Sequence, residues 1–199
     1  MNFTSYSQSG QDQFVHEVLA GAPGRFLDIG AGHWRDVSNT YGLEQARWTG
    51  VLVENSPAAC ADLRANRNAI VMEADATKVI WRQLGGMKFD YLSLDVDYVS
   101  CEVLMHVLLA GVEFRVATVE HNLYNYARDG YPTPESPRWM MRAMMGGAGY
   151  EMVCSDVMCG MAPFEDWWIR KGDPARAIAE KFRCSGKDGR SIMGLRQAT

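Results

Sequence analysis

The chain has 199 residues, 47% of them apolar and 22% charged, with a net charge of −4. A length of this order supports one domain that buries roughly 70% of its unfolded surface, and the composition excludes a disordered or fibrous chain. The negative balance excludes a basic nucleic-acid footprint spread over the whole surface.

No stretch reaches the ~18 consecutive apolar residues of a membrane span. The segment Met1-Asn-Phe-Thr-Ser-Tyr6 has neither a basic start nor an apolar run, so a cytoplasmic protein is expected. Five cysteines, Cys60, Cys101, Cys154, Cys159 and Cys184, form no C-x-x-C pair. They predict neither a disulfide framework nor a zinc site, and Cys154 and Cys159 read as small apolar side chains around a strand.

In chain order, a helix is predicted over Gln11–Leu19 and a first strand over Phe26–Ala31, after the punctuating Gly21 and Gly24. Strands follow at Gly50–Glu54, Ile70–Asp75, Tyr91–Asp97, Val116–Asn122, Met152–Val157 and Trp167–Arg170, as apolar, β-branched runs at regular spacing. Between them lie helices at Pro57–Asn66 and Val99–Leu109. The first of these is announced by Ser56 as N-cap and Pro57 at the first helical position. This alternation predicts an α/β fold with a mostly parallel, seven-stranded sheet and helices on both faces. Leu123 to Arg138 reads as a long loop with Tyr124, Tyr126 and Tyr131 on the carboxyl edge, the usual place of a lid or acceptor wall. The methionines of 139–145 recur at helical spacing and read as a soft core face. From Arg170 onward eight basic residues stand against three acidic ones. They suggest a solvated basic helix and tail, with an anionic or RNA contact as the sharper alternative.

Phe26-Leu-Asp-Ile-Gly-Ala-Gly32 is an apolar strand running into two glycines, as required where backbone approaches a ligand. Glu54 ends the second strand 22 residues after Gly32, where a carboxylate can accept both hydroxyls of a ribose. Asp75 ends the third, beside the expected adenine. With Asp28 these acids suit an adenosine laid along one edge of the sheet. A dinucleotide fingerprint needs a small residue three positions after the second glycine, to let a helix offer its N-terminus to a pyrophosphate. Arg35 stands there, preceded by His33 and Trp34, which disfavours NAD. Asp28, before the glycines, suits a cofactor with a cationic amino group, such as S-adenosylmethionine.

Several short motifs in fixed order resemble the FkbM-like methyltransferases. They are Tyr6-Ser-Gln-Ser-Gly-Gln-Asp12, Phe26 to Ala31, Ser38-Asn-Thr40, Leu43-Glu44, Trp48-Thr-Gly50 running into Val53-Glu54-Asn55, Asp90 to Asp97 followed by Glu102 and Leu104, and Glu120-His-Asn122. A weaker match is Glu165-Asp-Trp-Trp168. The resemblance implies a Rossmann-like class I methyltransferase fold, S-adenosylmethionine as methyl donor and, most commonly, a hydroxyl acceptor. Gln8, Ser38, Asn39, Asn55, Ala76 and Asp95 join Asp28, Gly30, Gly32, Glu54 and Asp75 as the expected cofactor contacts. One departure stands out: the family reads Asp-x-Glu-Gly after the fourth strand, where this chain has Asp97 and Tyr98.

Methyl transfer to a hydroxyl needs alignment of donor and acceptor and a base for the proton. Asp97, Glu120 and His121, where strands four and five are expected to end side by side, are the candidate catalytic residues, with Asp95 adjoining. Such a cluster suits a divalent metal as well as direct general-base chemistry, and the residues alone leave both open. A small-molecule acceptor is expected, and nucleic acid is disfavoured except through the basic tail. A non-catalytic cofactor-binding module remains the competing class.

Overall fold

The computed structural model describes residues 3–123, 136–160 and 162–195. Helix α1 (Gln11–Val18) leads into β1 (Arg25–Ile29), α2 (Tyr41–Gln45), β2 (Thr49–Glu54), α3 (Pro57–Asn66), β3 (Ile70–Glu73), β4 (Lys88–Leu94), α4 (Ser100–Leu109) and β5 (Glu113–Glu120). After the expected aromatic loop, whose residues 124–135 lie outside the described residues, come α5 (Ser136–Gly147), β6 (Tyr150–Cys159), β7 (Ala162–Arg170), α6 (Arg176–Ala179), β8 (Cys184–Ser185) and α7 (Gly189–Ile192).

The strands form one sheet in the order β3-β2-β1-β4-β5-β7-β6-β8. The pairs from β3 to β5 are parallel, while β7 runs antiparallel to both β5 and β6. The seven-stranded expectation is therefore corrected to eight, because the short β8 adds to β6. The last long strand also begins at Ala162 rather than Trp167. Its first half, Pro163 to Asp166, looks like loop in sequence because it is polar and carries a proline.

Helices cover both faces, as expected. Phe14, Val15 and Val18 of α1, Leu43 and Leu63 pack on Phe26, Leu52, Tyr91, Val116 and Trp167. On the opposite face Val103, Leu104 and Val107 of α4, with Met141 and Met145 of α5, pack on Leu27, Ile29, Leu92, Ala117 and Trp168. Neighbouring strand residues alternate between these two cores, as the pleat requires. At α3 the Ser56 hydroxyl accepts from Ala59 N–H at 3.3 Å with Pro57 behind it, which meets the expected cap.

The basic C-terminal region is two short helices and a strand rather than one helix, and part of its charge is paired. Arg170, Arg176 and Arg183 bond Glu113, Glu151 and Glu180 at 2.8, 2.9 and 2.6 Å. Among the described residues no helix is long and apolar enough to cross a membrane.

Candidate functional site

Strand order reverses between β1 and β4, and in open α/β sheets that switch point leaves a crevice at the carboxyl ends of the strands. A cavity of about 320 Å³ occupies it, walled by Gly30, Val53, Glu54, Asn55, Ala74, Asp75, Ala76, Asp95, Val96, Asp97 and Val99. The glycine turn makes the crevice. Gly30 has φ +89°, and a Cβ there would stand 1.7 Å from the Asp95 carbonyl oxygen, so only glycine lets β1 and β4 close together at this point.

Glu54 is fixed by three backbone donors. One oxygen accepts from Gly32 N–H at 3.0 Å, the other from Asn55 and Ser56 N–H at 2.9 and 2.7 Å. The acid is thereby tied to the glycine turn while its edge faces the cavity. Asp75 lies just beyond β3, as the N-cap of a single 3₁₀ turn over Ala76–Lys78. The Thr77 hydroxyl and N–H donate to it and Lys78 pairs with it, which holds its carboxyl down at about 2. Asp97 likewise lies past the end of β4, in a 3₁₀ turn, with φ +51°. Its carboxylate accepts from the Asn122 side chain at 3.4 Å.

Of the residues expected to hold a cofactor, Gly30, Glu54, Asn55, Asp75, Ala76 and Asp95 thus meet on one wall. Asp28, Ser38, Asn39, Gly32 and Gln8 do not line it. Asp28 is buried beneath the glycine turn, where it accepts from the Thr40 hydroxyl at 2.6 Å. Burial raises its pKa against that hydrogen bond and the nearby Arg67. Arg67, itself fully buried, bonds Glu44 at 2.7 Å and reaches Ser38, Thr40 and the Trp34 carbonyl. Ser38 also caps the turn into α2, and the Asn39 amide donates to Ser93 at 3.1 Å. These residues form a polar network that does not line the cavity. Gly32 is exposed, with open space where a Cβ would stand. Gln8 sits against Cys159 at 2.9 Å, beside a smaller cavity of about 110 Å³ formed with Ala162 and Phe164.

Three expected catalytic residues separate in space. Asp97 is on the cavity wall. Glu120, 3% exposed, lies behind it in hydrogen-bond contact with Asp95. Burial raises Asp95, opposed by the Glu120 hydrogen bond and reinforced by the charge of Asp97. His121 points to the opposite face of the sheet. It is 2% exposed, its Nδ1 accepts from Leu123 N–H at 3.4 Å, and its Nε2 stands 3.6 and 4.0 Å from Asp156 and Asp166. Burial pushes its pKa down to about 4, against the pull of those two aspartates.

His121, Asp156 and Asp166 are close enough to share a metal ion, but two arginines already serve the carboxylates. Arg142 grips Asp166 with two hydrogen bonds of 2.8 and 2.7 Å and touches Asp156 at 2.9 Å; Arg138 bonds Asp156 at 2.7 Å. A metal there would have to displace a bidentate guanidinium. The cluster depends on a bulge, which sequence reasoning missed. Two residues of β6, Ser155 and Asp156, stand opposite one residue of β7, and Asp156 adopts φ +51°, an arrangement that re-aims a side chain.

In sequence the chain matches no family model and no curated protein. Solved structures share its fold. The O-methyltransferase from Bacillus cereus in complex with SAH aligns at TM-score 0.61 and 14% identity, over 86% of this chain and 84% of that one. Magnesium protoporphyrin IX methyltransferase from Synechocystis PCC 6803 with bound SAH gives 0.55 and 14%, over 82% and 83%. The fibrillarin/Nop5p complex gives 0.56 and 18%, over 82% and 81%. The chain accordingly has the Rossmann-like α/β fold of methyltransferases.

Proposed function

We propose that this chain is an S-adenosylmethionine-dependent methyltransferase acting on a hydroxyl oxygen of a small molecule or sugar, of the kind its FkbM-like motifs suggest. The observation that carries this reading is the cavity wall. Glu54, Asp75, Asp95 and Asp97 supply four carboxyl side chains to it, and among the described residues no lysine or arginine lines it. Such a wall repels a pyrophosphate and favours a ligand with hydroxyl and amino donors and a positive charge. S-adenosylmethionine has a ribose diol, an adenine amino group, an α-amino group and a sulfonium, and no phosphate. The SAH in two of the fold neighbours supports the same assignment.

Glu54, pinned by three N–H groups, is placed to accept both ribose hydroxyls without reorganising. Asp75 and Ala76 bound the side toward β3, where the adenine fits. Asp95 bounds the side toward β4, which leaves the cationic end beside it and the acceptor near Asp97. When bound, the sulfonium supplies the methyl group. The hydroxyl proton passes to the Asp95–Glu120 carboxyl pair, a role for which His121 is badly placed because its Nδ1 accepts from Leu123 N–H and its Nε2 faces Asp156 and Asp166 on the opposite face. Alignment and proton acceptance together account for this chemistry.

Thermal denaturation with S-adenosylmethionine, its demethylated product and NAD tests the assignment. Either adenosyl ligand at a hundredfold over its Kd should add about 2.7 kcal/mol of stability. A response to NAD alone would overturn it.

A further inference from the structure

We infer that Cys154 and Cys184 are an oxidative modification site, a thiol pair that hydrogen peroxide converts to an intrachain disulfide stapling the C-terminal segment onto β6. The pair stands apart from the cofactor assignment, at the end of the sheet farthest from β3.

Strand register makes the pair. The two residues of β8 lie parallel to β6, with Cys184 opposite Cys154 and Ser185 opposite Ser155. Residues in direct register share a face of the sheet. On one face the Ser155 hydroxyl donates to that of Ser185 at 2.7 Å; on the other the two thiols, both free, are in hydrogen-bond contact. Neighbouring strands run about 4.8 Å apart, inside the roughly 4.4–6.8 Å that a disulfide spans between Cα atoms. No C-x-x-C spacing announces the pair in sequence, because β8 returns to β6 only after β7 and α6.

The two sulfurs differ in access. Cys154 is fully buried, its S–H donates to the Phe182 carbonyl at 3.0 Å, and burial, with the Cys184 thiol beside it, pushes its pKa up. A thiol held in this way does not meet an oxidant first. Cys184 is half-buried on an edge strand. It is the sulfur that a molecule as small as hydrogen peroxide reaches, and Cys154 waits behind it, where contact makes up for its low acidity.

In the first step the Cys184 thiolate attacks one peroxide oxygen. The O–O bond breaks, the departing hydroxide takes up the proton that Cys184 shed and leaves as water, and Cys184 becomes a sulfenic acid. The Cys154 sulfur then displaces hydroxide from the Cys184 sulfur. The S–S bond forms as the S–O bond breaks, and the Cys154 proton goes with the hydroxide as a second water. Two thiols are oxidised and one peroxide is reduced. The bond ties down a segment that crosses to the N-terminal turn: Met158 N–H donates to the Lys187 carbonyl at 2.9 Å, and a Cβ on Gly189 would stand 2.3 Å from the Ser9 carbonyl oxygen. At the sheet edge the bond stays within reach of a dithiol, which makes the modification reversible.

Titration of the freshly reduced full chain with hydrogen peroxide, followed by alkylation and peptide mapping by mass spectrometry, reads this directly. A bond between the peptides carrying Cys154 and Cys184 should form with the loss of two hydrogens, before Cys101 or Cys159, which are also half-buried, is modified. Dithiothreitol should restore both thiols. In Cys154→Ser the same treatment should stop at a Cys184 sulfenic acid that dimedone traps, and Cys184→Ser should leave Cys154 reduced. In the unmodified chain, a Cys184 that proceeds to an unlinked sulfinic acid or bonds to another cysteine would overturn the inference. So would a Cys184 still reduced at peroxide levels that oxidise free cysteine.

Discussion

Two polar clusters lie at the same end of the sheet and are built from adjacent residues. Glu120 and Glu165 point to the α1 face, whereas His121 and Asp166 point to the α5 face. The first group has carboxyls packed among a tyrosine, a glutamine and a tryptophan, and it adjoins the cavity. The second has carboxylates neutralised by Arg138 and Arg142. Pleat alternation alone separates them. Burying an acid with its cation fixes structure. Burying acids against one another stores a titration, which is useful only beside a ligand that carries charge.

The largest expected effect breaks the paired cluster. Arg142→Ala leaves Asp166, whose side chain is 4% exposed, with its bidentate partner gone. Removing one partner of a buried ion pair costs about 3–5 kcal/mol. Chemical denaturation should show a loss of that order. A loss below ~1 kcal/mol would mean that Arg138 alone holds the cluster.

The carboxyl cluster should behave in the opposite way, gaining stability when its buried acid Glu165 is neutralised. Glu165 is pushed by burial up to about 8, from the ordinary 4.5 of a glutamate. Below pH 4.5 folded and unfolded chains both hold this proton, and its contribution is whole. Between pH 4.5 and 8 the unfolded chain releases a proton that the folded chain keeps, and stability falls as pH rises. Glu165→Gln, isosteric and neutral, should remove that loss, with a gain of about 3 kcal/mol at pH 7 that vanishes near pH 4. Stability of both proteins against pH checks the slope, and parallel curves would place the Glu165 proton elsewhere.

A third change tests the cavity rather than either cluster. Glu54→Ala removes the charged acceptor proposed for two ribose hydroxyls and also frees the Gly32 N–H. Affinity for S-adenosylmethionine should fall by about 1.5–3 kcal/mol by calorimetry. Unchanged affinity would place the ribose elsewhere on the wall.

The parallel half of the sheet was readable because each of its strands is an apolar run with an acid or glycine at its end, a local pattern. Gly30 and Glu54 come from that pattern alone. Asp75 and Asp97 were expected on strands, yet the chain turns before reaching them, and both serve as turn residues, a choice made by side-chain bonds to Thr77 and Asn122. The first half of β7 was hidden for a deeper reason. Pro163, Glu165 and Asp166 look like loop, and their burial becomes tolerable only through Gln11, Trp167 and Arg142, of which Gln11 and Arg142 lie far away in the chain. The same holds for Asp28, whose burial depends on Thr40 and Arg67. Long-range polar satisfaction leaves no periodic trace in sequence.

The smallest expected effect concerns His121, the residue that sequence places most naturally as a base. Among the described residues its imidazole makes one long hydrogen bond, from Leu123 N–H, and its Nε2 has no hydrogen-bond partner. At pH 7 a neutral imidazole so weakly bonded contributes little, and His121→Gln should change stability by less than ~1 kcal/mol and leave S-adenosylmethionine affinity unaltered. The difference should appear in acid. Burial lowers His121 to about 4 from 6.5, so its contribution is whole above pH 6.5 and is lost as pH falls toward 4, because the unfolded chain takes up a proton that the folded chain refuses. The Gln variant lacks that loss and should overtake the parent protein near pH 5. Glu165 and His121 would then lean in opposite directions with pH, one weakening the fold as pH rises and the other as it falls. A His121 that titrates near 6.5 by NMR, or a Gln variant with impaired cofactor binding, would mean that the two faces are less separate than their strand alternation makes them.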